Sequence, residues 1–109
     1  MAFNEDAARR VRDVLSEECS ASEKRMFGGL AFMVRGHMCC GIVGGDLVVR
    51  VGPDQHEQAL AEPHMRAMDF TGRPMKGFIY VGPAGYRSKV SLRDWIRRGL
   101  RFVSSLPAK

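Results

Sequence analysis

The chain has 109 residues, with 17 Lys and Arg against 12 Asp and Glu, for a formal net charge of +5. Its 45% apolar and 27% charged residues are the balance of an ordinary globular protein and argue against a disordered chain, and the length suits one domain spanning residues 1–109. No apolar run approaches the roughly 20 residues that cross a bilayer, and Met1 to Asp6 lacks the basic and apolar regions of a leader, so neither a membrane partner nor a signal peptide is expected.

The first element is an amphipathic helix over about residues 4–19. Asn4 is placed to cap it, and Glu5 and Asp6 suit its first turn. Ala8, Val11, Val14, Leu15 and Cys19 recur at three- and four-residue steps, with charged residues on the other face. Ser20-Ala21-Ser22 closes it. Three strand-like runs follow. Arg25 to Val34 is expected as one strand, bulged or bent at Gly28-Gly29. Arg35-Gly36 turns the chain into His37 to Val43, where alternation puts Met38, Cys40 and Ile42 on one face. Gly44-Gly45 fits a tight hairpin into Asp46 to Val51, where Leu47, Val49 and Val51 alternate against Val48 and Arg50.

Gly52-Pro53 ends this meander and opens a short polar helix over residues 54–61, with Ala59 and Leu60 free to bury. Pro63 stops it. Two more strands, near Arg66–Thr71 and Lys76–Val81, flank Gly72-Arg73-Pro74. After the Gly82-Pro83-Ala84-Gly85 loop, Ser91 and Asp94 resemble a cap for a last helix, whose stripe is Leu92, Trp95, Ile96, Leu100 and Val103. The order αβββαββα predicts an α+β, two-layer sandwich: a five-stranded antiparallel sheet packed by helices.

Certain strings carry a resemblance. Arg25-Met26-Phe27-Gly28-Gly29-Leu30, the Gly36-x-Met38 step, Asp46-Leu47-x-x-Arg50-Val51, Gly72-Arg73-Pro74-Met75 and the Leu92-x-x-Trp95 helix look like the TfoX/Sxy N-terminal domain. The resemblance covers about residues 5–104. It implies a secretion-chaperone-like two-layer fold and a role in bacterial competence and transcription regulation. The family's founding members act beside a cAMP-receptor-type transcription factor and have no established enzymatic activity. They also carry a helical C-terminal domain that these 109 residues do not include. The expected function is therefore a non-enzymatic interaction module, a co-regulator with a protein partner in the transcription machinery.

The residues themselves offer one surface. Residues 87–109 hold seven bases and a single acid, Asp94, so this end is +6 while the rest of the chain is −1. Arg93, Arg97 and Arg101 step by four along the last helix, Arg98 lies beside them, and Arg87 and Lys89 extend the strip. The plain reading is a solvated face opposite the Leu92/Trp95/Ile96 stripe. The functional alternatives are an acidic protein partner or nucleic-acid contact, with Tyr80 and Tyr86 available to stack and Arg73 as a further charge.

Other candidates are weaker. His37-x-Cys39-Cys40 has zinc-type donors, but on a strand only His37 and Cys39 share a face, and Cys19, His56 or His64 would have to come from afar. No metal, cofactor or catalytic residue is expected; Cys39, His37 and Arg73 are the least poor set for an enzyme. His56 and His64 read as solvated histidines, and Asp54 and Glu57 as first-turn carboxylates. Gly41-Ile42-Val43-Gly44-Gly45 lacks the lysine and spacing of a phosphate loop and reads as turn glycines. Cys19, Cys39 and Cys40 are odd in number with two adjacent, which suits reduced thiols in the cytoplasm. Seven methionines place apolar groups such as Met33 on the second sheet face; a homodimer and cover from within the chain are both open.

Overall fold

A computed structural model describes residues 3–26, 28–70 and 73–107. Helix α1 spans Glu5–Glu18 and is capped by Asn4, whose side-chain oxygen accepts the Ala7 N–H at 3.0 Å. Strands β1 (Ser22–Met26), β2 (Gly29–Val34), β3 (His37–Val43) and β4 (Asp46–Arg50) follow, then a 3₁₀ turn at Pro53–Gln55 and the short helix α2 (His56–Leu60). Strands β5 (Met65–Phe70) and β6 (Arg73–Val81), a second 3₁₀ turn at Pro83–Tyr86 and helix α3 (Lys89–Ser104) complete the chain. Phe27 of the first family string and the Gly72 turn lie outside the described residues.

Among the described residues the sheet has six strands, not five, in the order β1-β2-β3-β4-β6-β5, every neighbouring pair antiparallel. The expected long strand over Arg25–Val34 divides at Gly28, whose φ of +72° turns the chain back on itself. Gly29 then pairs with Met26 as the first residue of β2, so the chain makes a hairpin at Gly28 and not a bend within one strand. The extra strand carries no hydrophobic alternation because it is an edge: Ser22, Glu23, Lys24 and Arg25 are all exposed. Charged residues on an exposed edge also discourage pairing with another chain.

The three helices lie on one side of the sheet. Val11, Val14 and Leu15 of α1, Ala59 of α2, and Leu92, Trp95, Ile96 and Val103 of α3 share one apolar cluster with Leu30, Phe32, Ile42, Leu47, Val49, Ile79 and Val81. Burying each such aliphatic or aromatic side chain stabilises the fold by roughly 1.5–3 kcal/mol. On the opposite side Ala31, Met38, Val48 and Met68 form a smaller cluster, flanked by Met26, Met33, Val43, Phe78 and Tyr80, with no helical residue among them. This is an α+β sandwich of two layers, with one sheet face bare of helices.

A bulge corrects the expected facing of β3. Phe32 pairs with Cys40 but the next residue, Met33, pairs with Met38, leaving Cys39 as the extra residue. Met38 therefore joins the helix-free face, while Cys39, Cys40 and Ile42 all join the helix-side core. The cap of α3 is also corrected. Ser88 is the cap, its hydroxyl oxygen accepting the Ser91 N–H at 3.0 Å, so the helix begins at Lys89 and Ser91 is already its third residue.

Candidate functional site

Helix α3 crosses β3 and β4 and lies beside α1. Its buried side is Leu92, Trp95, Ile96, Gly99 and Val103, with Leu100 partly buried, close to the expected stripe. Its cationic side does not stand free. Lys89 and Arg93 both reach Glu17 at 3.4 Å, and Arg97 donates to Glu18 at 2.6 Å. Arg98 donates to Glu62 at 2.5 Å, lies 3.4 Å from Asp94, and stacks its guanidinium 4.2 Å from the Trp95 ring centroid. Four of the six residues in the predicted strip are thus ion-paired, three of them with carboxylates from α1. Glu17 and Glu18 stand near the C-terminal end of α1, where the helix dipole disfavours negative charge and α1 has no base of its own. The α3 cations offset that charge.

These pairings shift the groups in the expected directions. The hydrogen bond from Arg97 holds the Glu18 carboxyl below the ordinary glutamate range, against an opposing contribution from desolvation. The same hydrogen bond raises Arg97, and the Glu62 hydrogen bond raises Arg98. Across the outer edge of α1, Arg12 grips Glu23 of β1 through two hydrogen bonds of 2.5 and 2.9 Å, and that contact lowers Glu23.

Arg87 and Arg101 make no ion pair with a carboxylate among the described residues, and both side chains are exposed. The Arg87 carbonyl accepts from Arg10 at 2.8 Å, which ties the start of α3 to α1. Arg101 and Arg98 line a cavity of about 420 Å³ between α3 and the 3₁₀ turn leading into α2, together with Gly52, Asp54, Gln58, Glu62 and Phe102. A shallower depression of about 540 Å³ runs past Glu17, Glu18, Cys19, Arg35 and Arg97. The side chain of Arg73 lies outside the described residues.

The three cysteines meet at the helix-side core, where Cys19 packs against the cluster that holds Cys39 and Cys40, but among the described residues the histidines do not complete a set of ligands with them. Cys39 and Cys40 are wholly buried, and the Cys40 thiol is pushed well above its usual range, first by its hydrogen bond with Cys39 and then by burial. Burial also raises Cys19. Neither shift favours a thiolate. His37 Nε2 lies 2.6 Å from the Pro107 carbonyl oxygen, which can only accept, so that nitrogen donates. Among the described residues no group of three or more His, Cys, Asp or Glu side chains is poised to hold a metal. His64 is exposed, as expected. His56 is not: it is 7% exposed, and its Nδ1 accepts the buried Gly77 N–H at 2.9 Å, a partner from β6 that local sequence does not reveal.

Sequence reasoning also missed a set of stacked cations on the sheet. The Arg50 guanidinium lies 5.3 Å from the ring centroids of both Phe78 and Phe102, and that of Arg66 lies 5.0 Å from Tyr80. The available signal was the i, i+2 spacing of Phe78 and Tyr80, which puts both rings on one face.

No helix among the described residues is long and apolar enough to cross a membrane. Fold and surface together define a small α+β module with a mixed-charge helical layer. The chain belongs to the family of the TfoX N-terminal domain, whose model matches residues 13–103. No curated protein and no solved structure matched the chain significantly.

Proposed function

We propose that this chain is a non-enzymatic interaction module, a co-regulator related to the competence regulators that works by contacting a protein of the transcription machinery. The observation that carries the reading is the assembled state of α3: its cations alternate with Glu17, Glu18, Glu62 and Asp94 in a mixed-charge pattern suited to a complementary protein surface. A reducing, cytoplasmic setting is part of the proposal and is supported by three free thiols, two of them buried. A second copy of the chain is not needed to cover the middle of the helix-free face, because Ala31, Val48 and Met68 are at most 1% exposed within one chain. The test is affinity capture from native lysate with the wild-type chain and with an Arg97→Glu/Arg101→Glu variant. A partner retained by the first and lost by the second supports the reading; no reproducible partner removes it.

Direct nucleic-acid contact through Arg87, Lys89, Arg93, Arg97, Arg98 and Arg101 is the second reading. It has the exposed Arg87 and Arg101 in its favour. It calls for affinity for DNA or RNA that falls steeply with salt and disappears when Arg93, Arg97 and Arg101 are replaced by Glu.

A further inference from the structure

The helix-free face of the sheet carries an arrangement that the α3 surface lacks. Register places Lys24, Ala31, Gly41, Val48, Tyr80 and Arg66 in one row across all six strands. The middle of the row is covered from within the chain: Ala31 and Val48 are at most 1% exposed, and the Met38 methyl stands over Gly41. One end holds Lys24; the other holds Tyr80 beneath the Arg66 guanidinium. Phe78, two residues from Tyr80 on β6, lies 5.3 Å from the Arg50 guanidinium, which stands equally close to Phe102 of α3, and the two β6 positions are about 6.6 Å apart along the strand. Lys24 and Tyr80 are four strand spacings apart, about 19 Å. Phe78, Tyr80 and Arg50 are partly exposed, and Lys24 and Arg66 are exposed. Register also places Asp46 on this face, and Arg66 already holds it at 2.8 Å.

We propose that this face binds single-stranded nucleic acid, with unpaired bases stacked on Phe78, Tyr80 and the guanidinium planes above them, and with phosphates met by Lys24, Arg50 and Arg66. Charge complementarity calls for a polyanion. Two neighbouring, partly exposed aromatic rings, each beside a planar cation on the helix-free face, call for flat partners, and bases offer a flat face only when they are freed from a duplex. An acidic peptide would satisfy the cations and leave the rings without such a partner. The site is separate from the α3 surface proposed above, and either can fail alone.

The experiment is fluorescence anisotropy of labelled 15-nucleotide dT and rU strands, with a 15-base-pair duplex alongside, at several salt concentrations. Wild-type protein is expected to bind the single strands in preference to the duplex, with a log–log salt slope of about −2 for three phosphate contacts. Tyr80→Leu, which keeps an apolar side chain, is expected to weaken binding roughly five- to hundredfold by removing one stacking ring. Lys24→Glu should weaken it as well, and Arg97→Glu/Arg101→Glu on α3 should not; thermal melts confirm that each variant is folded. The proposal is overturned if the single strands do not bind at low salt, if the duplex binds as tightly, or if the α3 variant alone abolishes binding. It is also overturned if a poly-glutamate peptide binds this face and the oligonucleotides do not, or if light scattering finds a dimer that Tyr80→Leu and Lys24→Glu dissociate and that no oligonucleotide competes with.

Discussion

His56 Nδ1 accepts the backbone N–H of Gly77 across 2.9 Å of buried space, joining α2 to β6. The bond satisfies a buried amide, and leaving such an amide unpaired costs about 1–3 kcal/mol. His56→Leu is therefore expected to lower unfolding free energy by about that amount. His56→Asn, whose side-chain oxygen can take the place of Nδ1, should recover part of it. Urea midpoints of the two variants decide the matter: equal losses would mean that volume, not the acceptor, is what His56 supplies.

Gly99 sets how closely α3 approaches the sheet. A Cβ there would stand 2.8 Å from the Cys39 carbonyl oxygen and 3.1 Å from its Sγ. In a free helix, alanine is favoured over glycine by about 0.5–1 kcal/mol. Overpacking against a backbone carbonyl costs about 1–3 kcal/mol, because the carbonyl has no rotamer by which to move aside. Gly99→Ala should thus be net destabilising by about 1–2 kcal/mol, read from thermal or denaturant melts. A more stable variant would show that α3 sits farther from β3 than described.

The features legible in the sequence were those fixed by local periodicity. The α1 stripe, β3, β4 and the α3 stripe come from 3.6- or two-residue repeats within one segment, and their bounds fall within a few residues of the expected ones. Strand β1 was hidden because, as an edge strand of charged residues, it has no apolar face to repeat. The bulge at Cys39 was hidden because register belongs to a pair of strands and not to one. The α3 surface was half legible. The spacing of its cations is local, but Glu17 and Glu18 lie more than 70 residues away along the chain from the groups they hold. The same holds for Gly77 beside His56, 21 residues on.

Tyr86 ties the start of α3 to the β3–β4 hairpin, its hydroxyl donating to the Gly45 carbonyl at 2.5 Å while Arg10 lies 5.7 Å from its ring centroid. Burial, then the nearby Asp46 charge, raises the phenol above its ordinary value of 10.0. A raised phenol pKa means that the fold favours the neutral form. The stabilisation is complete below the unfolded value near 10 and is lost as pH rises through the higher folded value. Tyr86→Phe should cost about 0.5–1.5 kcal/mol at neutral pH. It should also flatten the alkaline decline in melting temperature above pH 10. A variant whose alkaline limb matches wild type would assign that limb to other groups.

Glu17 and Glu18 offer the most direct handle on α3. Glu17→Gln/Glu18→Gln leaves Lys89, Arg93 and Arg97 without the carboxylates that now hold them. The variant should elute from an immobilised polyanion such as heparin at higher salt than wild type, since freed cations displace more counterions. Its acid response should change as well. The Glu18 carboxyl is depressed in the fold by its hydrogen bond to Arg97, so its contribution is present above the unfolded glutamate value near 4.3 and is lost as pH falls through the lower folded value. Melting temperatures taken from pH 6 to 3 should fall less steeply for the double variant, and 1 M salt should bring the two curves together by screening these exposed pairs. Unchanged heparin retention would mean that α3 presents its cations to solvent whether or not α1 holds them, and would return the helix to the simple solvated face.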